Sequence, residues 1–379
     1  MNVGINGRFL TKPFTGIGQY TLNLLKSLSN IDKENVYYIA VPEDTDLNIA
    51  DNFQIETVRE KKEGNPGVNK TFWEQVKVPN YFKDKKVDLV HYPYPSNPRF
   101  SSKIKTLVTV HDIIPWILPE YRDKLTTKIY QKNVKKALKK ADYIITVSNK
   151  TKTDLLAELK FPPENIRTIH NGVNPALSED IDQELIKEVI ERYNLLNPFY
   201  FYMGGYDKRK NVEILIETFL EEIAPNYNID LVLGGGKSLD TDLYDSYDIP
   251  QKECEMKGRI IKTGFISEEI LNILYKNCIA FINLSKYEGF NIPLVEAAYC
   301  NCPIIASDIE IHREVLNDCA MFIDPDDKEK LAHYMKLVSS DENFRNGLIE
   351  KTENIKNIYS WDKTARETLS LYKEISTCN

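Results

Sequence analysis

The chain has 379 residues, 42% of them hydrophobic and 28% charged, and a net charge of −7. That length exceeds one core of ordinary size and predicts two domains, while the composition excludes disordered and collagen-like chains. Residues 1–190 carry 28 Lys and Arg against 24 Asp and Glu, and the remainder 21 against 32, so no part has the basic excess of a nucleic-acid binder.

Short β-rich runs alternate with helical patterns in both halves, which predicts two parallel α/β sheets. The first strand candidates are Val3–Asn6, Val36–Val41, Val87–Tyr92, Thr106–Val110, Tyr143–Ser148 and Ile166–His170, with helical patterns near 18–29, 124–140 and 150–160. The opening MNVGINGRFL has no apolar signal core and reads as a first strand. Within TKIYQKNVKKALKKAD (127–142) six lysines flank Ile129, Val134, Ala137, Leu138 and Ala141. A solvated amphipathic helix and a contact with an anionic membrane surface both fit that pattern. NGVNPALSED (171–180) interrupts the alternation and reads as a connector.

The second series runs Phe199–Met203, Ile229–Leu233, Ile260–Thr263, Ile279–Leu284, Pro303–Ser307 and Met321–Ile323, with helices near 211–222, 267–276, 292–300 and 327–337. The stretch YSWDKTARETLSLYKEI (359–375) is helical again. The expected division is therefore 1–174, 175–358 and a terminal helix within 359–379, with a ligand cleft between two strand-end faces. No apolar run reaches the roughly 18 residues of a membrane span. Cys254, Cys278, Cys300, Cys302, Cys319 and Cys378 show no zinc-site spacing and read as buried thiols in a reducing cytoplasm.

Two strand-to-helix turns carry the candidate chemistry. FYMGGYDKRKN (201–211) runs a strand into Gly204–Gly205 and then into Arg209 and Lys210 before a helix. Two cations at a helix N-terminus suit a phosphate, and a glycine turn with exposed basic residues fits equally. YEGFNIPLVE (287–296) has the same setting, with Gly289, Phe290 and Asn291 leading into a helix whose first turn holds Pro293. Glu288 and Glu296 read either as sugar ligands or as favourable charges at a helix start. They serve as a hydrolytic acid/base pair only if the loop folds back to bring them within about 5–9.5 Å. His111 follows a strand in TLVTVHDIIP, and either a structural role or a sugar contact suits it. Gly16 and Gly18 precede a helix without forming a dinucleotide fingerprint, so a phosphate-approaching loop and a plain helix entry stay equal. Asp240 and Asp242 form an Asp-x-Asp triplet with no strand before it, so no metal site is assigned.

Taken together, EGFNIPLVEA with Glu288-x7-Glu296, CNCPIIASDIEIHREV, GGYDKRKN, VTVHDIIP, TGIGQYT, VSNKTKTDLL…PPENIRTIHNGVNP and YSWDKTA resemble the retaining GT-B glycosyltransferases of the family 4 kind. The resemblance implies two Rossmann-like α/β domains facing across a cleft, with the terminal helix packing back on the first. It implies that Arg209 and Lys210 bind the donor diphosphate, with Gly205 in the same turn. Glu296 would hold the ribose, and Glu288 would lie by the donor sugar. The amides of Gly289, Phe290 and Asn291 would contact sugar or phosphate, and Gly16 and Gly18 would approach the donor. His111 would contact the donor sugar. Asn291 departs from the glycine usual at that position. The implied activity is hexosyl transfer from GDP-mannose or a UDP-hexose to a saccharide or lipid-linked acceptor, in cell-surface polysaccharide or glycolipid synthesis, with no metal or other cofactor. A cytoplasmic protein touching the inner membrane face through its basic half is the matching expectation. A catalytically silent binding subunit and a glycoside hydrolase are the alternatives.

Overall fold

The apolar runs of the first half pair in parallel as β1 (Asn2–Asn6), β2 (Val36–Val41), β3 (Phe53–Thr57), β4 (Leu89–Tyr92), β5 (Lys105–Val110), β6 (Tyr143–Thr146) and β7 (Ile166–Thr168). Their order across the sheet is β3-β2-β1-β4-β5-β6-β7. These assignments come from a computed structural model that describes residues 1–96, 104–121, 125–159, 162–178, 180–236 and 256–377. Cys254, Cys378, Asp240 and Asp242 lie outside the described residues.

The sequence reading missed β3. It is an edge strand in which Gln54 and Glu56 alternate with Phe53 and Ile55, so only one face is apolar. Phe53 sits opposite Tyr37 in register and stacks on it at 4.1 Å. The lysine-rich helix Leu125–Lys140 buries Val134, Ala137 and Leu138 and turns Lys135, Lys136 and Lys139 to solvent, the solvated amphipathic arrangement.

The second half forms β8 (Phe199–Gly204), β9 (Asp230–Gly235), β10 (Ile260–Gly264), β11 (Ala280–Asn283), β12 (Ile304–Ser307) and β13 (Met321–Ile323), ordered β10-β9-β8-β11-β12-β13 and again parallel. Its core gathers Tyr200, Leu215, Phe219, Leu231, Ile282, Ile305 and Met335. Strand ends approach closely here: a Cβ on Gly235, whose φ is +89°, would meet the Gly204 carbonyl at 2.2 Å, so this position demands glycine. Cys278, Cys300, Cys302 and Cys319 are buried free thiols.

The chain divides into a first unit of Met1–Gly172 with Trp361–Asn379 and a second of Val173–Ser360. The expected connector is packed rather than loose. Val173 and Leu177 are buried, and the Ala176 carbonyl accepts a hydrogen bond from Asn272 at 3.3 Å. The helix Trp361–Thr377 packs on the first unit's helix Gly16–Ile31. Trp361, Ala365, Leu371, Tyr372 and Ile375 share one core with Tyr20, Leu24 and Leu28. Among the described residues, no helix is long and apolar enough to cross a membrane.

Candidate active site

In each sheet the strand order reverses beside the first strand of its half, at β1/β4 and at β8/β11, and ligands of open parallel sheets bind beyond the carboxyl ends at such points. The two turns singled out in the sequence follow β8 and β11. They are joined backbone to backbone, with the Lys286 N–H donating to the Arg209 carbonyl at 2.8 Å.

After β8, the Tyr202 hydroxyl donates to the Gly205 carbonyl at 2.7 Å, and Asp207 caps the short turn Lys208–Lys210 by accepting from the Arg209 N–H at 3.1 Å. Asn211 then takes the left-handed conformation (φ +55°), and its side chain donates to the Pro325 carbonyl at 2.6 Å. These bonds fix the direction of both basic side chains. Arg209 pairs with Glu288 at 2.7 Å and donates to the Tyr287 carbonyl at 3.0 Å. Lys210 reaches the other Glu288 oxygen at 2.5 Å.

Glu288 is only 6% exposed. Burial would raise its carboxyl, yet the adjacent Arg209 and Lys210 outweigh burial and hold it down at about 2. Burial lowers Lys210 from the usual ammonium range, with Glu288 opposing that shift. Glu288 and Asp207, whose carboxylate lies 3.6 Å from Arg209 Nε, together balance the charge of the two cations.

After Glu288, Phe290 turns into the core and meets Tyr359 edge-on at 5.5 Å. Asn291 precedes the helix Ile292–Tyr299 in the left-handed region (φ +70°), makes no side-chain capping bond and is 6% exposed. Its side-chain NH2 donates to Asn283 Oδ1 at 3.1 Å and to His312 Nε2 at 2.9 Å. His312 Nδ1–H in turn donates to the Ser307 carbonyl at 2.9 Å. Burial pushes His312 down to about 4, so it is the neutral Nδ1–H tautomer that fits this chain of donors. Asn291 Oδ1 and Asn283 Nδ2 are buried without a hydrogen-bond partner among the described residues.

One turn further along, Glu296 lies 3.3 Å from the Tyr275 hydroxyl. Burial pushes its carboxyl up to about 7, against the lowering effect of Tyr275.

The remaining candidates lie in the first unit. His111 Nε2–H donates to the Pro93 carbonyl at 2.8 Å, and its ring meets Tyr20 edge-on at 4.8 Å. Burial lowers it to about 4, so it is neutral with Nδ1 as an acceptor. Gly18, in the first turn of the helix Gly16–Ile31, lies against the Lys12 carbonyl, which a Cβ would meet at 2.2 Å; Gly16 has open space around it. The structure brings Arg209, Lys210, Glu288 and Asn291 together on adjoining turns. The sequence reading missed Tyr275, Asn283 and His312, whose partners are 21, 8 and 21 residues away and which sit inside otherwise plain apolar patterns. Among the described residues no cluster of His, Cys, Asp and Glu could hold a metal ion.

Comparison with known proteins bears on the fold and the family. The family described as "Glycosyltransferase Family 4" matches residues 14–177, and that described as "Glycosyl transferases group 1" matches residues 182–355. O-antigen chain mannosyltransferase B of Escherichia coli is 25% identical, over 95% of this chain and 96% of its own. Among solved structures, sucrose-phosphate synthase from Thermosynechococcus elongatus superposes with a TM-score of 0.78 at 17% identity, over 100% of both chains. Anabaena HepE in complex with UDP-glucose superposes with a TM-score of 0.71 at 14% identity, over 99% of this chain and 100% of its own. Two adjoining family matches, two parallel sheets and a full-length relative together place this chain in the GT-B glycosyltransferases of the family 4 and group 1 kind.

Proposed function

We propose that the protein is a retaining hexosyltransferase that moves a hexose from a nucleotide-sugar to a saccharide or lipid-linked acceptor in cell-surface polysaccharide or glycolipid synthesis. The observation that carries this reading is the buried Arg209–Glu288–Lys210 group at the switch point of the second sheet. A diphosphate arriving there would meet two oriented cations that need no reorganisation as charge develops on the leaving nucleotide. Glu288 holds their geometry. Glu296 accepts from the ribose hydroxyls. In this reading Arg209 and Lys210 do the electrostatic work, and no metal or other cofactor takes part. His111 is assigned a donor-sugar contact by family resemblance. The full-length likeness to a mannosyltransferase favours GDP-mannose over a UDP-hexose as the first donor to assay.

Retention of configuration follows if the acceptor hydroxyl attacks from the face the nucleotide leaves, giving its proton to a leaving-phosphate oxygen. A hydrolytic pair is disfavoured, because both Glu288 oxygens are engaged by cations and its carboxyl stays ionised. A silent binding subunit would not need these ion pairs kept intact. The test is turnover of GDP-mannose and UDP-hexoses by the purified chain, beside Lys210→Ala and Glu296→Ala. Each substitution should lower kcat/KM by about 100-fold or more with the fold retained. Near-normal transfer by both variants would sink the site assignment.

A further inference from the structure

The first sheet has a switch point of its own, between β1 and β4, and a cationic cavity lies beside it. The cavity, of about 240 Å³, opens beyond the carboxyl ends of β1, β2 and β3 and is lined by Arg8, Lys12, Lys61, Lys62 and Lys70, with Glu43 and Glu60 as its acidic members. Five cations face two carboxylates, so the lining keeps a surplus of positive charge.

Two of the cations are fixed from behind. Arg8, on the turn that follows β1, pairs with Glu60 at 2.5 Å and lies over the Trp73 ring at 5.4 Å. That contact engages one guanidinium nitrogen, and the Arg8 side chain also lines the cavity. Lys70 lies over the Tyr94 ring at 5.8 Å and 3.8 Å from the Glu74 carboxylate. Glu74 is itself buried and accepts from the Tyr94 hydroxyl at 2.7 Å. Glu74 stands on a wide turn, Trp73–Lys77, within the helical stretch that carries Lys70, and such turns are often found at functional positions. Lys12, Lys61 and Lys62 are exposed at the rim, where they attract an approaching anion over a longer range.

We propose that this pocket binds a phosphoryl group carried by the acceptor. A planar guanidinium and an ammonium, both held in place, suit phosphate oxygens better than a single carboxylate, and the surplus charge matches a dianion. The assignment to an acceptor rests on the glycosyl-transfer reading; the anion site itself does not.

The test is calorimetric titration of inorganic pyrophosphate into the full chain, the Arg8→Gln/Lys61→Gln/Lys62→Gln variant, Lys210→Ala, and Lys135→Gln/Lys136→Gln as a charge control on an exposed helix. Wild type is expected to bind at two places. Lys210→Ala should keep the first-unit site, and the triple variant should lose about tenfold or more in affinity there while keeping the other. The control should bind as wild type. If the triple variant matches wild type, or if Lys210→Ala binds nothing, the proposal fails; if Lys210→Ala instead binds as wild type at both places, it is the donor reading that fails. Cosedimentation with phosphatidylcholine vesicles containing phosphatidic acid separates the sources. Sedimentation of wild type and not of the triple variant assigns a lipid-borne phosphate, and pyrophosphate binding without sedimentation assigns a phosphorylated saccharide.

Discussion

Glu288 and Glu296 are the same side chain in two surroundings, and their protons behave differently. Two cations keep Glu288 ionised down to about pH 2, so its ion pairs persist through any ordinary assay. Their stabilisation is present above the unfolded carboxylate range near 4.3 and is lost as pH falls from there toward 2. Glu296 has no cation paired with it among the described residues, and burial, helped by the charge of Glu268 and opposed by the Tyr275 hydroxyl, carries it up to about 7. A raised carboxyl is neutral below its folded value, and only the ionised form accepts from both hydroxyls of a ribose. The donor KM is therefore expected to rise as pH falls below 7, approaching about tenfold per pH unit, while kcat changes little. Steady-state kinetics from pH 5.5 to 8.5 checks this against Glu296→Gln, whose KM should be higher and flat with pH. A wild-type KM that is also flat would remove the ribose role.

At the scale of elements, the turn from β11 into Ile292–Tyr299 is the most tightly determined piece of the site. A non-glycine residue at φ +70° is strained by about 1 kcal/mol, less for asparagine, and Asn291 offsets the strain with two buried hydrogen bonds. Alanine would keep the strain and leave His312 Nε2 without its donor, for an expected loss of about 2–4 kcal/mol. Glycine relieves the strain, so Asn291→Gly should unfold at a higher temperature than Asn291→Ala. Both should raise the donor KM, because the amides that follow Glu288 lose their support. Calorimetry with donor kinetics measures the two effects; equal unfolding temperatures would show that the left-handed conformation does not limit this turn. This element also shows where sequence reading stops. Gly-Phe-Asn before an apolar run announces a helix start, since only local chemistry is involved. The Asn291–His312 bond was hidden because a histidine in an apolar helix stretch carries no mark of its partner. Strand β3 was hidden for another reason: as an edge strand with one polar face, it lacks the continuous apolar run that revealed its neighbours.

Across the whole molecule, the alternation of strands and helices was legible because buried parallel strands must be apolar along their length. The order of strands was not, since periodicity says what is buried and not beside what. The terminal helix was legible as a helix, and its destination came only from family resemblance. Its contacts explain that destination. Tyr372 meets His91 Nδ1 at 2.6 Å, the other ring nitrogen meets Thr109 Oγ1 at 2.8 Å, and Thr364 donates to the His170 carbonyl at 2.7 Å. Burial holds His91 at about 3, so this bridge stays neutral. Each fully buried large apolar side chain of the helix adds about 1.5–3 kcal/mol, so Trp361, Leu371, Tyr372 and Ile375 together rival the usual stability of a domain. Ending the chain at Ser360 should leave the first unit unfolded or aggregated, whereas Tyr372→Phe should cost only about 1–3 kcal/mol. Circular dichroism melts of both variants check this; a stable, soluble chain ending at Ser360 would show that the helix is dispensable.

The 281 residues separating His91 from Tyr372 also set an order of events during synthesis. While the ribosome is still making the second unit, the faces of Tyr20, Leu24 and Leu28 have no cover, because the segment that covers them has not yet been translated. The second unit, whose residues are contiguous from Val173 to Ser360, can close on itself as soon as it emerges. The half that is made first is thus finished last, and for that interval it is the part of the nascent chain most in need of a chaperone.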